Sequence, residues 1–304
     1  MSFSFETKTE LIRSSQGCTC CAAAECYGIL LFCNTFSARE IRIVTGNKAL
    51  RLHLVNVFKK AFAIDFDVFP PESAGGKSAL IIDNEDKLQL IFEAYGYERD
   101  SLLAHRLNLG VLEEDCCKVS YLRGSFLAGG AVTNPAKSYH LELVTAHYNV
   151  SRQTYALLLE LNLAPKETAR GGNYILYYKQ SSAIEDFLTF IGAPIAAMQL
   201  MSAKIEKDVR NSVNRKVNCD TANVTKTVDA ASTQITAIEK IINSGALDSL
   251  SDKLIQTAML RLENPELSIT ELAETSVPPL TKSCLNHRLR KLVKLAGDVK
   301  TRSQ

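Results

Sequence analysis

The chain repeats itself. Gly28 and Gly124, Gly75 and Gly171, and Gly96 and Gly192 are each separated by 96 residues, and matching patterns surround each pair. Self-similarity of this kind restricts the fold to two copies of one unit about a pseudo-twofold axis, each burying what the other exposes. Each copy opens with an apolar helix, over residues 20–35 and around Tyr121-Leu-Arg-Gly-Ser-Phe-Leu-Ala-Gly-Gly-Ala-Val132. The second of these alternates apolar and small residues around one charge, Arg123, and its glycines let another backbone come close. Gly129-Gly130, with Thr133-Asn-Pro135 beyond it, ends the helix and turns the chain.

The rest of each copy follows one order. An alternating strand comes first (Glu40–Thr45, Tyr139–Thr145), then a helix (Ala49–Phe62, Ser151–Leu161). After a Gly-Gly turn come a short strand (Ser78–Ile82, Asn173–Tyr178) and a closing helix that ends at Gly96 or Gly192. The spacing predicts an α+β domain over residues 1–202, with repeats at 20–97 and 116–193 and an opening helix over 6–16.

The length of 304 residues suits two or more domains, and a hydrophobic share of 46% with 22% charged residues is ordinary for a soluble globular chain. Net charge is only +2, so attraction to nucleic acid has to come from local clustering. The first residues, Met1-Ser-Phe-Ser-Phe-Glu6, lack the basic and apolar regions of an export signal, and the longest apolar run, Ile29–Cys33, is too short to cross a bilayer. The expectation is a cytoplasmic protein with no membrane contact and reduced thiols. Of nine cysteines, Cys18, Cys20, Cys21, Cys26 and Cys33 crowd near the start. Cys18–Cys21 has C-x-x-C spacing, but no second such pair or H-x-x-x-H follows it. Cys116-Cys117 offers another half, yet the expectation is packed or idle thiols, with no metal and no cofactor.

From Met201 the composition shifts. Residues 203–245 read as a helical connector, with Val224, Val228, Ile235 and Ile238 at helical spacing. Its cluster of Asn211, Asn214, Asn218 and Asn223 beside Arg210, Arg215 and Lys216 reads as a solvated face, with phosphate contact as the alternative. Residues 246–304 then carry an all-α pattern of three helices. The first, Ser251–Glu263, stops at Asn264-Pro265. Ser268 and Glu271 form a capping box for a short second helix through Ala273, and residues 275–279 turn the chain. The third helix runs from Thr281 or Lys282 to Ala296 and is closed by Gly297. Leu285, Leu289, Leu292 and Leu295 or Ala296 face inward, and Lys282, Asn286, His287, Arg290 and Lys294 face outward.

From Val277 onward there are seven Lys or Arg and one acid, Asp298. A short helix, a turn and a basic helix over Ser268–Ala296 have the organisation of a helix-turn-helix reader, whose second helix enters the major groove. Asn suits adenine and Arg suits guanine. Lys282, Ser283, Asn286, His287 and Arg290 are thus the candidates at the base edges of double-stranded DNA, with Arg288, Lys291 and Lys294 nearer the phosphates.

The duplicated half resembles the scaffold of LAGLIDADG homing endonucleases. There the resemblance implies a motif helix that ends in a Mg²⁺-binding acid, two such ends meeting at the scissile phosphates. Leu122-Arg-Gly-Ser-Phe-Leu-Ala-Gly-Gly130 fills the motif with Gly129 at the metal position, and Cys26-Tyr-Gly-Ile-Leu-Leu-Phe-Cys-Asn34 puts Cys33 there. Neither replaces a carboxylate for a hard cation, and Glu25 and Glu40 lie outside the motif position, so no nuclease activity is expected. The five histidines read as dispersed, His140 and His147 falling ~23 Å apart if one strand holds both. Phosphate-loop and dinucleotide fingerprints are absent from the sequence.

Both halves together resemble the WhiA family of bacterial regulators, which joins a degenerate LAGLIDADG domain to a helix-turn-helix domain. Tyr121-Leu-Arg-Gly-Ser-Phe-Leu-Ala-Gly-Gly130, Tyr139-His-Leu-Glu142, Asn218-Cys-Asp-Thr-Ala-Asn223 with Lys226-Thr227, and Lys282-Ser-Cys-Leu-Asn-His-Arg-Leu-Arg-Lys291 carry the likeness over essentially the full length. The resemblance implies a nucleoid-associated transcription regulator without catalytic activity. It would bind promoters and act in cell division, chromosome segregation and sporulation, with a protein partner such as RNA polymerase or another regulator. The rival readings are a Mg²⁺-dependent endonuclease and a module that binds protein or RNA.

Overall fold

The computed structural model describes residues 2–14, 18–71, 76–98 and 104–298. The chain divides into two compact units, residues 1–208 and 209–304.

In the first unit, helix α1 (Phe3–Ser14) precedes α2 (Thr19–Phe32), strands β1 (Thr35–Phe36) and β2 (Ile41–Thr45), α3 (Lys48–Phe62), β3 (Ser78–Ile82) and α4 (Glu85–Ala94). The second repeat supplies α5 (Asp115–Gly129), β4 (Gly130–Val132), β5 (Leu141–Thr145), α6 (Tyr148–Glu160), β6 (Lys166–Arg170), β7 (Asn173–Tyr178) and α7 (Ser181–Ile191). α1 begins earlier than the apolar pattern suggested, and residues 15 and 16 of that expected helix lie outside the described residues. Gly75 also lies outside them; Gly76, Gly171 and Gly172 all have positive φ, as the turns require.

α2 and α5 form the seam between the repeats. Apart from Glu25 on α2 and Asp115, Lys118 and Arg123 on α5, both are apolar or small all round, and a helix of that kind survives only when surrounded. From Ala24 to Phe32 every residue of α2 is buried. The contact is reciprocal. A Cβ built on Gly28 would lie 2.1 Å from the Tyr121 carbonyl oxygen, and one on Gly124 would lie 2.1 Å from the Glu25 carbonyl oxygen. Tyr121 stands 96 residues after Glu25, so each glycine meets the other repeat's version of one residue, as a self-complementary twofold contact demands.

The strands form two antiparallel sheets, ordered β1-β2-β3 and β4-β5-β7-β6. In the first, Ile41 pairs with Ile82 and Ile43 with Leu80; in the second, Leu141 pairs with Tyr178 and Leu143 with Leu176. This exceeds the one strand pair per repeat read from the sequence. β6 was missed because Lys166-Glu-Thr-Ala-Arg170 is exposed throughout and carries no apolar alternation. At the corresponding place the first repeat has Pro70-Pro71, and Val68 makes a single bridge to Ile81 before it. Proline has no amide hydrogen to give a ladder.

Residues 203–243, most of the expected helical connector, are helical throughout. They belong to one helix, α8 (Pro194–Asn243), that begins in the first unit and ends in the second. Ala196, Ala197 and Leu200 are buried at its start, and Ala231, Gln234, Ala237, Ile238 and Ile241 near its end. Between these, Val209, Val213, Val217, Val224 and Val228 are exposed, so Val224 and Val228 do not bury as their spacing suggested. Asn211, Asn214, Asn218, Asn223, Arg210, Arg215 and Lys216 are exposed as well.

The second unit closes with α9 (Asp252–Glu263), α10 (Ile269–Thr275) and α11 (Lys282–Asp298). Its core is Ala237, Ile238 and Ile241 from α8, Leu254 and Ala258, Leu272 and Ala273, and Leu285, Leu289, Leu292 and Ala296. Arg261 is buried among them, its Nη1 donating to the carbonyls of Asn264 (3.2 Å) and Leu267 (2.8 Å) and so holding the turn into α10. Gly297 does not stop α11. It lies inside the helix, with no neighbour near the place of a Cβ.

Candidate nucleic-acid interface

Three caps set the geometry of α10 and α11. Ser268 Oγ accepts from the Glu271 amide and Glu271 accepts from the Ser268 amide, completing the capping box. Ser276 Oγ donates within the turn, 2.8 Å from the Ala273 carbonyl, and the Leu280 amide bonds back to the same carbonyl at 3.0 Å. Thr281 Oγ1 accepts from the Cys284 amide at 3.3 Å, which starts α11 at Lys282.

With that start fixed, Leu285, Leu289, Leu292 and Ala296 turn inward. The opposite face presents Ser283, His287, Arg290, Lys291 and Lys294, all exposed, with exposed Lys282 at its N-terminal end. Asn286 and Arg288 are half-buried and flank this face. Lys282, Asn286, Arg290 and Lys294 follow one another at four-residue intervals, a row ~18 Å long. Among the described residues, Lys282, Arg288, Arg290, Lys291 and Lys294 are in no ion pair. α11 thus gathers five cations without internal partners on one short helix. Lys300 and Arg302, counted in the sequence as part of this basic end, lie outside the described residues.

The other candidate place for nucleic-acid chemistry is the C-terminal end of the seam helices. It is packed shut. A Cβ on Gly129 would lie 2.4 Å from the Val144 carbonyl oxygen and 3.1 Å from Phe32 Cβ. Cys33 sits with its sulfur 3.2 Å from the Leu30 carbonyl and 3.1 Å from that of Thr35, and burial pushes its thiol up to about 12, so it stays protonated. Two residues that sequence reasoning missed satisfy the helix ends. Thr145 Oγ1 donates to the Leu31 carbonyl at 2.8 Å, and Lys8 Nζ donates to the Leu127 carbonyl at 3.0 Å. An ammonium at the negative end of α5 is where the helix dipole favours a cation. Neither residue carries a motif signal, since Lys8 comes from an opening helix 119 residues away.

Glu25 lies inside the seam, away from these ends. Its Oε1 is 2.5 Å from His53 Nε2 and its Oε2 is 3.7 Å from Arg123 Nη1, while Arg123 Nε donates to the Ile191 carbonyl at 2.9 Å. This ion group ties α2 to α3, α5 and α7, with the carboxylate only 2% exposed.

The histidines are less dispersed than the sequence suggested. The rings of His105 and His147 are 4.3 Å apart, at the wall of a cavity of about 440 Å³ that Phe36, Tyr148 and Tyr174 also line. His105 Nε2 donates to the Phe36 carbonyl at 2.6 Å. Burial lowers both pKa values, and the neighbouring His105 helps bring His147 to about 4. The unfolded chain, near ~6.5, therefore binds more protons between the two values. Stability from His147 is complete above pH ~6.5 and is lost as pH falls towards about 4. Denaturant unfolding of the first unit at pH 7 and pH 5 should show it, and His147→Gln should flatten the difference.

The cysteines near the start separate into two groups. Cys26 and Cys33 are far along α2, whereas Cys18, Cys20 and Cys21 lie at its beginning beside Cys116 of α5.

A duplicated α+β unit with degenerate motif helices, followed by a unit with a capped helix pair and a basic last helix, defines a LAGLIDADG-like protein fused to a helix-turn-helix domain. Known proteins agree with that class. The family model for the WhiA LAGLIDADG-like domain matches residues 118–210, and that for the WhiA C-terminal helix-turn-helix domain matches residues 213–296. The chain is 36% identical to the probable cell division protein WhiA of Alkaliphilus metalliredigens over 309 residues, covering 97% of this chain and 98% of the relative. It is 37% identical to that of Desulforudis audaxviator over 306 residues, covering 98% of each. The crystal structure of full-length WhiA from Thermotoga maritima matches with a TM-score of 0.60 at 26% identity, over 99% of each chain. The chain belongs to the WhiA family.

Proposed function

We propose that this protein is a sequence-specific regulator of transcription that binds double-stranded DNA at promoters and acts in cell division, with chromosome segregation and sporulation among its outputs. The observation that carries the reading is the unpaired basic face of α11 on a capped helix pair. Asn286 and Arg290 read base edges together with Lys282, Ser283 and His287, while Arg288, Lys291 and Lys294 neutralise phosphates. The protein has no catalytic role in this reading, because the seam ends offer a protonated thiol and a glycine with no room for a side chain. It works in the cytoplasm at the nucleoid, and RNA polymerase or a second regulator is its protein partner. Among the described residues no helix is long and apolar enough to cross a membrane.

Genome-wide crosslinking identifies the bound promoters, and gel shifts on one of them test the contacts. Each base-edge contact is worth ~1–3 kcal/mol, so Asn286→Ala with Arg290→Ala should weaken specific binding by ~30-fold or more and relax sequence preference. Lys294→Ala should weaken all sequences alike and reduce the salt slope by about one. Unchanged promoter binding by the double variant would overturn the assignment. Mg²⁺-dependent cleavage of supercoiled plasmid by the purified protein would overturn the non-catalytic reading.

A further inference from the structure

The 96-residue offset holds for one more set of residues. Cys20-Cys21 and Cys116-Cys117 are separated by it, so the pseudo-twofold places one vicinal pair in the first turn of α2 and the other in the first turn of α5. The sulfurs of Cys18, Cys20, Cys21 and Cys116 all lie within 4.8 Å of one another. Cys18 Sγ is 2.7 Å from Cys20 Sγ and 3.2 Å from Cys21 Sγ. Two segments almost a hundred residues apart thus bring four thiols to one point.

We propose that Cys18, Cys20, Cys21 and Cys116 bind one Zn²⁺ ion that clamps the N-terminal ends of the two seam helices.

The donor set selects the metal. Four sulfurs with no carboxylate or imidazole among them suit a soft or borderline cation and reject Mg²⁺ and Ca²⁺. Tetrahedral Zn–S bonds of ~2.3 Å put the sulfurs ~3.8 Å apart, a spacing within reach of the present cluster by side-chain rotation. Cys18 and Cys21 have the C-x-x-C spacing common in structural zinc sites. Electrostatics favour the charged form. Cys18 and Glu114 are the N-cap residues of α2 and α5, and neither side chain caps its helix, so first-turn amides and both positive dipole ends stand beside the sulfurs. Cys18, Cys20 and Cys116 are exposed, which leaves the metal a path in, while buried Cys21 anchors the cluster to the seam. Binding forms four Zn–S bonds and releases up to four thiol protons to solvent, with no change of oxidation state. The site is at the opposite end of the seam from Cys33 and Gly129, ~20 Å along α2. It is therefore separate from the place where a homing endonuclease holds Mg²⁺.

The test uses the full chain, purified with reductant and without chelator. Elemental analysis should find about one Zn per chain. After removal of zinc, Co²⁺ should give the intense visible bands and sulfur-to-metal charge transfer of a tetrahedral thiolate site. Cys18→Ser and Cys116→Ser should each weaken Co²⁺ binding by more than the ~10–100-fold that loss of a group hydrogen-bonded to a ligand costs. Their far-UV circular dichroism reads folding separately, and Cys219→Ser, on exposed α8, should leave the site intact. A metal-free protein that gives no Co²⁺ bands would overturn the proposal. So would an iron–sulfur chromophore, or disulfides among these cysteines in anaerobically prepared protein.

Discussion

Gly124→Ala should destabilise the first unit by about 3 kcal/mol or more, the upper end of what overpacking a core costs. The atom that a new Cβ meets is the Glu25 carbonyl oxygen at 2.1 Å, part of a buried helix backbone that cannot rotate away. Normal C···O contact needs ~3.3 Å, so α2 and α5 must separate by about an ångström along the whole seam. Gly28→Ala meets the Tyr121 carbonyl oxygen at the same 2.1 Å and should cost as much. The double variant should cost clearly less than the two singles together, because helices already parted by one methyl have room for the second. All ten tyrosines and twelve phenylalanines lie at or before Phe190, so near-UV circular dichroism reads the first unit and is silent for the second. At 2–4 °C per kcal/mol for a unit of this size, its midpoint should fall by ~10 °C. Additive costs for the pair would show that the seam gives way locally rather than as a rigid contact.

Glu25→Ala should cost a similar amount, about 3–5 kcal/mol, for an electrostatic reason. The carboxylate is bonded on one side to His53 and faces Arg123 on the other, deep in the seam. Removing it leaves Arg123, only 11% exposed, without its buried counter-ion. Glu25→Gln keeps the shape and part of the hydrogen bonding, so the gap between the two variants in denaturant unfolding isolates the charge. If alanine and glutamine are equally mild, the ion group is not what fixes α2 against α3, α5 and α7.

The duplicated architecture was legible in the sequence because its signals are local and repeated. Gly28 and Gly124 mark a close helix contact that no larger residue allows, and alternation marks β2 and β5. The helix-turn-helix unit was legible through Ser268 and Glu271, whose reciprocal caps are formed within three residues of chain. What could not be read depends on long-range packing or lacks a pattern. β6 has no alternation, and Val224 and Val228 have core spacing yet no partner surface. His105 and His147 meet only because residues far apart in sequence fold to one cavity wall. Of the interface, the outward face of α11 followed from helical spacing, whereas the half-burial of Asn286 and Arg288 needed the position of its neighbours.

The Val144 carbonyl beside Gly129 limits what position 129 can hold. With 2.4 Å between that oxygen and the place of a side chain, an aspartate at position 129 would not recreate a metal ligand; it would first have to displace β5. The residue at position 129 and the placement of β5 are therefore bound together, and this end of the seam changes only as a unit.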